Sequence, residues 1–180
     1  DRRTRMGTEV SMTVYDADPG KAARALEAAF RKMSELESLL SRFKEGSDVH
    51  RLNHTTGGSI KVSSITFDLL TRSIACSNLS SGAFDVTAAP AMKLWEDAEK
   101  KNSLPSPKEI AKVADLVGAA NLKLNDKALT VEFAKSGMAV DFGGIAKGWT
   151  ADQAAHKLSA FGPALVNAGG DIAVSGPQSN

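Results

Sequence analysis

The feature that most constrains the fold is a glycine- and lysine-containing segment at residues 140–152, which joins an apolar, strand-like stretch to a helical one. It carries glycines at 143, 144 and 148, together with Lys147. Glycines let backbone amides approach an anion, a helix N-terminus adds unpaired amides, and lysine adds a full positive charge. The spacing matches neither G-x-x-x-x-G-K-[ST] nor G-x-G-x-x-G. Two interpretations remain open: an anion-binding turn, or a tight strand-to-helix connection with a solvated lysine.

Composition restricts both the number of domains and the classes of partner. The chain has 180 residues, 42% of them hydrophobic, which suits one substantial core and predicts a single domain over residues 1–180. Its 22 basic and 21 acidic side chains leave a formal net charge of +1, so nucleic-acid binding has little electrostatic support. The dense basic cluster Arg2-Arg3-Thr4-Arg5 is interpreted as a solvated terminus.

Hydrophobic spacing predicts both helices and strands. Apolar residues at three- and four-residue steps predict a helix that begins behind the N-cap Asp18, ends near Ser41 and buries Phe30 and Met33. The predicted helices cover residues 18–41, 64–79, 107–117 and 150–161, and the predicted strands 10–15, 59–62, 122–124, 128–133, 138–142, 164–167 and 172–175, with a polar loop over 41–54. Hairpins mixed with strand-helix crossovers indicate an α+β fold, with mixed or antiparallel sheets and packed helices.

Two further segments combine glycine with groups that can recognise a ligand. In the first, residues 82–90, an aromatic ring and a carboxylate (Phe84 and Asp85) could stack on a ring and accept from its edge. The alternative is that Phe84 is a core residue and Asp85 caps the following turn. In the second, residues 167–171, a ligand-facing loop and a purely structural turn are equally compatible with the sequence. The three histidines show no metal-ligand spacing.

With these segments in view, the chain resembles the ApbE-like flavin transferases, the FAD:protein FMN transferases. The resemblance is colinear along nearly the whole chain and depends on five motifs in the right order. These are Met6-Gly7-Thr8; Ser41-Arg42-Phe43 with Leu52-Asn53; Gly82-Ala83-Phe84-Asp85-Val86-Thr87 with Pro90 and Leu94-Trp95; Asp141-Phe142-Gly143-Gly144-Ile145-Ala146-Lys147-Gly148 with Asp152; and Asn167 with Gly169-Gly170-Asp171.

The resemblance implies a Mg²⁺-dependent enzyme that takes FAD as its substrate and transfers the FMN half to a threonine of an acceptor protein, releasing AMP. The backbone carbonyl of Gly144 would contact the metal. The residues that would line the FAD site by the same resemblance are Met6, Phe43, Ala83, Phe84, Asp85, Lys147 and Thr150. Acceptors in the family are typically subunits of membrane redox complexes. Its usual location is the periplasm or the outer face of a membrane, often with a lipid anchor.

The chain departs from the family pattern after Asp171. Relatives continue well past this hairpin, into a part that carries the side-chain metal ligands and a histidine associated with the chemistry. We therefore assign no catalytic base and expect that a longer native protein, a second chain or a loose terminus accounts for the end at residues 176–180. Two alternatives to the transferase stay open: an FAD pyrophosphatase that yields FMN and AMP, and a non-catalytic FAD-binding protein.

Overall fold

The computed structural model describes residues 1–16 and 18–176, and the chain divides into two compact units. The first unit comprises Asp1–Ser38 and Ile145–Asn180, and the second comprises Leu39–Gly144. The predicted loose end at 177–180 lies outside the described residues, and the single domain over 1–180 stays a prediction. The α+β fold with antiparallel sheets is confirmed, since every strand pair in the described residues is antiparallel.

The first unit is a four-stranded sheet packed on two helices. The strand order is β1-β2-β6-β7. Its elements are β1 (Arg2–Arg5), β2 (Thr8–Val14), α1 (Pro19–Leu40), α6 (Ala146–Ser159), β6 (Ala164–Ala168) and β7 (Asp171–Ser175). The core contains Phe30 and Met33 from α1, as predicted, against Val10, Met12 and Val166 of the sheet. Alanines at 151, 154 and 155 form the buried face of α6, and their small side chains let the helix approach the sheet closely.

The second unit contains four helices and a small sheet of order β3-β5-β4. Its elements are α2 (Asp48–His54), β3 (Ile60–Lys61), α3 (Ser64–Leu79), α4 (Ala89–Lys100), α5 (Pro107–Ala114), a 3₁₀ turn (Ala119–Asn121), β4 (Leu122–Asn125) and β5 (Thr130–Phe133). Asp48 joins two of the helices, because it accepts hydrogen bonds from the Ser63 amide at 2.8 Å and the Thr66 hydroxyl at 2.7 Å. Ser106 and Glu109 form a capping box at the start of α5.

Most predicted elements are confirmed within a few residues, and the errors have local causes. The arginine cluster is not a solvated terminus: it forms β1, and Arg3 packs its guanidinium 4.4 Å from the centroid of the Phe30 ring. The predicted polar loop over 41–54 contains α2, whose N-cap Ser47 accepts from the His50 amide. Residues 89–100, to which no helix was assigned, form α4 with proline in the first turn.

The predicted strand at 138–142 is wrong, because this segment pairs with a side chain and a turn instead of a neighbouring strand. Asn53 accepts from the Val140 amide and donates to the Val140 carbonyl, both at 2.8 Å. The Asp141 amide donates to the carbonyl of Val86 at 2.8 Å. These contacts fix the backbone that leads into the glycine segment. Within residues 1–16 and 18–176, no helix has the length and apolar character needed to cross a bilayer.

Candidate functional site

Residues 141–144 form a turn in the second unit that is held from several sides, and we call it the glycine turn. The Asp141 carboxylate accepts a hydrogen bond from the Gly143 amide at 2.5 Å, so the turn is closed by its own side chain. Gly144 is exposed, and among the described residues its amide has no hydrogen-bond acceptor and its carbonyl has no donor. The turn therefore exposes a free amide and a free carbonyl at Gly144.

The glycine turn lies directly against the aromatic ring of Phe84. A Cβ atom added to Gly144 would stand 3.2 Å from Cε2 of Phe84, closer than most such contacts in proteins, so the ring would have to move by a few tenths of an ångström. The backbone bond from Asp141 to Val86 joins the same two segments. The structure thus brings together two residues that the sequence assigned to one site, Phe84 and Gly144. It also shows why glycine suits position 144, since a side chain there would displace the ring.

Asp85 uses its carboxylate to hold the turn at residues 82–88, which we call the Phe84 turn. One oxygen accepts from the amide of Thr87 at 2.8 Å and from its hydroxyl at 2.6 Å. The other accepts from the amide of Ala119 at 2.8 Å and from the hydroxyl of Ser77 at 3.4 Å. The capping interpretation of Asp85 describes these contacts, whereas its predicted contact with FAD stays a prediction. Ala83 is exposed at the tip of this turn, and Phe84 is half-buried.

Phe43 presents an exposed aromatic ring beside an open cleft of the second unit. Its side chain is 79% exposed, and the guanidinium of Arg42 lies 4.5 Å from the ring centroid. The cleft has a volume of about 360 Å³ and is lined by Arg42, Phe43, Asn53, His54, Pro90, Lys93 and neighbouring small residues. An aromatic ring with one face against a cation and most of its surface in solvent can stack on a planar ligand.

Arg42 connects this ring to the glycine turn, and sequence reasoning did not assign it to the site. Its Nε lies 2.8 Å from Oδ2 of Asp141, and a terminal nitrogen lies 2.7 Å from Oε1 of Glu96. The hydrogen bond from Arg42 is the largest of the effects that lower the pKa of Glu96 below its usual value. Arg42 stands next to Phe43 in the motif Ser-Arg-Phe, but nothing in the sequence shows that its partner is Asp141.

In the first unit, three residues predicted to bind FAD occupy a helix start and a hairpin turn. Lys147 lies in the first turn of α6, and its ammonium is 4.0 Å from a carboxylate oxygen of Asp171. No side chain caps this helix, so its first amides have no partner within it. Thr150 is fully buried, and among the described residues its hydroxyl has no hydrogen-bond partner. Met6 adopts a left-handed conformation (φ 52°) in the β1–β2 turn.

A comparison with known families identifies the chain. The sequence model of the ApbE family matches residues 6–180. The chain belongs to the ApbE family. The five motifs named above lie within the matched residues.

Relatives of this ApbE chain are named for flavin transfer. The chain is 29% identical over 170 residues to an FAD:protein FMN transferase of Klebsiella pneumoniae. The aligned region covers 93% of this chain and 52% of the relative. The crystal structure of the ApbE protein of Thermotoga maritima has 29% identity and a TM-score of 0.85, covering 98% of this chain and 58% of that one. A variant of the flavin transferase ApbE of Vibrio cholerae has 26% identity and a TM-score of 0.86, with coverages of 97% and 61%. The chain therefore spans about half the length of the curated relative.

One backbone oxygen of this ApbE chain is of a kind that can contact Mg²⁺. Among the described residues, no group of three or more His, Cys, Asp or Glu side chains is arranged to hold a metal ion. The exposed carbonyl of Gly144, which accepts no hydrogen bond among the described residues, is an oxygen ligand of the kind that Mg²⁺ uses. Mg²⁺ is commonly bound through one or two carboxylates together with substrate phosphates and water. The Gly144 carbonyl would therefore be one ligand of such a site and would not hold the metal alone.

Proposed function

We propose that this chain supplies the FAD-binding part of an FAD:protein FMN transferase. The observation that carries the proposal is the contact between the glycine turn and Phe84, which joins a free backbone amide to an aromatic ring in the second unit. FAD offers a diphosphate and two ring systems to such an arrangement. The names of the relatives support the same chemistry, although the chain covers about half of the curated relative's length.

The proposed reaction transfers a phosphoryl-linked flavin from one oxygen to another. The hydroxyl oxygen of an acceptor threonine forms a bond to the phosphorus on the FMN side of the diphosphate. The bond from that phosphorus to the bridging oxygen breaks, so AMP leaves with the bridging oxygen and the hydroxyl proton is released. The products are a protein-linked FMN phosphodiester and AMP. Catalysis of phosphoryl transfer depends mostly on positioning and on compensation of charge.

The chain's own residues would bind and orient FAD in this reaction. In the second unit, the amide of Gly144 is a donor suited to a phosphate oxygen. In the first unit, the first amides of α6 and the ammonium of Lys147 are donors of the same kind. The exposed ring of Phe43 would stack on one ring of FAD, and Ala83, Phe84 and Asp85 would border the site. Met6 and Thr150 complete the set that the family resemblance implies. We assign no residue the role of catalytic base.

Mg²⁺ dependence is part of the proposal. Mg²⁺ would compensate the negative charge of the phosphate oxygens and of the departing AMP. In this chain the Gly144 carbonyl would be its protein ligand. From the family we propose that the acceptor is a subunit of a membrane redox complex. We propose the periplasm or the outer face of a membrane as the location, with or without a lipid anchor.

The proposal is tested by incubating the chain with FAD, Mg²⁺ and a peptide that contains an acceptor threonine. Intact-mass spectrometry of the peptide and chromatography of the nucleotides are the measurements, and a peptide with valine in place of threonine is the matched control. We expect the chain alone to bind FAD, and we expect a mass increase equal to one FMN on the threonine peptide alone, together with AMP, once a second chain supplies the part that relatives carry past Asp171. If AMP forms equally well without a peptide, the protein is an FAD pyrophosphatase. If FAD binds but no AMP forms, the protein is a non-catalytic FAD-binding protein. Failure to bind FAD would overturn the proposal for this chain.

A further inference from the structure

Arg42 makes three different contacts in the second unit. Its Nε pairs with Asp141 at 2.8 Å, a terminal nitrogen pairs with Glu96 at 2.7 Å, and its flat face lies 4.5 Å from the centroid of Phe43. The Arg42 side chain is 19% exposed and that of Asp141 is 11% exposed, so water screens this pair less than it screens most surface pairs. A planar guanidinium can satisfy all three contacts at once, which an ammonium cannot.

Asp141 extends the influence of Arg42 to the glycine turn. While Oδ2 of Asp141 pairs with Arg42, Oδ1 accepts the hydrogen bond from the Gly143 amide at 2.5 Å. The orientation of this carboxylate therefore decides where the Gly143 amide is held. Because Gly144 follows directly and stands close to the Phe84 ring, a rotation of the Asp141 side chain would move the part of the turn that faces Phe84.

The charges around Arg42 show that it acts through its neighbours. Two carboxylates, those of Glu96 and Asp141, are paired with one guanidinium, so its charge is already compensated. An arginine whose charge is already compensated by two carboxylates attracts a phosphate less strongly than an unpaired one does. The effect of Arg42 on the site would then come through two of the groups that it contacts, Phe43 and Asp141.

We propose that Arg42 is a positioning residue that holds the Phe43 ring and the glycine turn in the arrangement that receives FAD. This inference rests on the proposed function, and it adds a residue that acts on the site without contacting FAD. The contact with Phe43 orients the ring for stacking, and the contact with Asp141 closes the turn. Loss of Arg42 would loosen both elements together.

The first test measures FAD affinity and thermal stability of the chain and its variants. We expect Arg42→Ala to weaken FAD binding roughly tenfold, the lower range for loss of a charged hydrogen bond. Arg42→Lys should recover little of the lost affinity, because one ammonium cannot replace the fork and the flat face. Arg51→Ala is the matched control, since Arg51 is also paired with a carboxylate of the second unit, Asp48. We expect it to lower the unfolding temperature but to change FAD affinity less than twofold.

The second test is independent of FAD and follows hydrogen exchange of the Gly143 amide by NMR. We expect faster exchange in Arg42→Ala and in Asp141→Asn than in the unaltered chain, with no further increase in the double variant, because both act through one contact. Arg51→Ala should leave the exchange rate of this amide unchanged when each protein is measured at the same number of degrees below its own unfolding temperature.

The outcomes separate this inference from the proposed function. If the unaltered chain binds FAD while Arg42→Ala binds it equally well, the positioning role is wrong and the proposed function stands. Full recovery of affinity by Arg42→Lys would also overturn the positioning role, since charge alone would suffice. If the unaltered chain does not bind FAD, the proposed function fails. Independently of FAD, an unchanged hydrogen-exchange rate of the Gly143 amide in Arg42→Ala would show that Arg42 does not hold the turn.

Discussion

The Phe84 turn and the start of α6 use their polar groups in opposite ways. In the Phe84 turn, both oxygens of Asp85 accept hydrogen bonds, and the Thr87 hydroxyl in turn accepts from the Gly118 amide at 2.7 Å. Within residues 1–16 and 18–176, no side chain caps the start of α6, and the carboxylate paired with Lys147 lies at a long 4.0 Å. The Thr150 hydroxyl has no partner in the same residues.

This difference separates groups that maintain the fold from groups available to a ligand. A buried polar group without a partner costs free energy, so proteins rarely keep one without a reason. The unpaired groups of α6 belong to the segment that the sequence assigned to phosphate. The paired groups of the Phe84 turn hold a ring in place. We therefore expect substitutions in the turn to affect stability and substitutions at the helix start to affect ligand affinity.

The largest effect expected from this comparison is the destabilisation caused by Asp85→Ala. The substitution leaves the amides of Thr87 and Ala119 without their acceptor, and we expect a loss of about 3 kcal/mol in the free energy of unfolding. Urea denaturation is the measurement. Asp126→Ala is the control, because its carboxylate is exposed and accepts from the adjacent Lys127 amide. A loss below 1 kcal/mol for Asp85→Ala would remove the distinction between the two regions.

Lys147→Ala should show the opposite behaviour, with lower FAD affinity at nearly constant stability. Its pair with Asp171 is long, and both side chains are more than a third exposed, so the pair contributes little to folding. If Lys147 binds a phosphate, its loss should weaken FAD binding by about 1 to 3 kcal/mol. Isothermal titration calorimetry measures this affinity, with Lys157→Ala as a control at the other end of α6. Equal affinities of Lys147→Ala and the unaltered chain would exclude Lys147 from the site.

The two regions were also predictable to different degrees from the sequence. The helix after the glycine segment follows from local signals, although α6 begins at Ala146 rather than at the predicted Thr150. Helix α1 is likewise marked by its N-cap Asp18 and by the spacing of its apolar residues, and α3 begins behind the N-cap Ser63. Such signals are contained within a few residues, which is why pattern analysis detects them.

The contacts that assemble the site have no local signal. Arg42 and Asp141 are far apart in the sequence, and so are Asn53 and Val140. The family resemblance indicated which motifs belong to one site, but not that Asn53 replaces a strand partner for residues 138–142. Side-chain pairing of this kind depends on the complete fold, so the sequence predicts a strand where the structure has a segment without secondary structure that is held by Asn53.

Asp48 extends the comparison to a second carboxylate that maintains the fold. Burial acts to raise the pKa of Asp48, but hydrogen bonds from Ser63, Thr66 and Arg51 outweigh it and hold this pKa below its usual value. A pKa that is lowered in the folded state stabilises the fold at pH values above the pKa of the unfolded state, which is about 3.9 for Asp. This contribution is lost as the pH falls through the folded-state pKa.

We therefore expect Asp48→Asn to lower the free energy of unfolding by about 1 to 2 kcal/mol at pH 7, because the amide cannot accept all of these bonds. Below about pH 4 the difference between the variant and the unaltered chain should shrink. Urea denaturation at several values between about pH 3 and about pH 7 measures the loss at neutral pH and its change on acidification. A difference that grows on acidification would contradict the lowered pKa.

The smallest expected effect compares two glycines on either side of the boundary between the units. A Cβ on Gly144 would stand 3.2 Å from Phe84, whereas a Cβ on Gly148 would meet no atom within 4 Å. We expect Gly144→Ala to lower the free energy of unfolding by about 1 kcal/mol and to weaken FAD binding, because the ring must shift. Gly148→Ala, inside α6, should raise the free energy of unfolding by about 0.5 to 1 kcal/mol. Thermal denaturation of both variants measures the change in unfolding temperature. If the two changes were equal and small, the Phe84 ring would move freely and would not define the shape of the glycine turn.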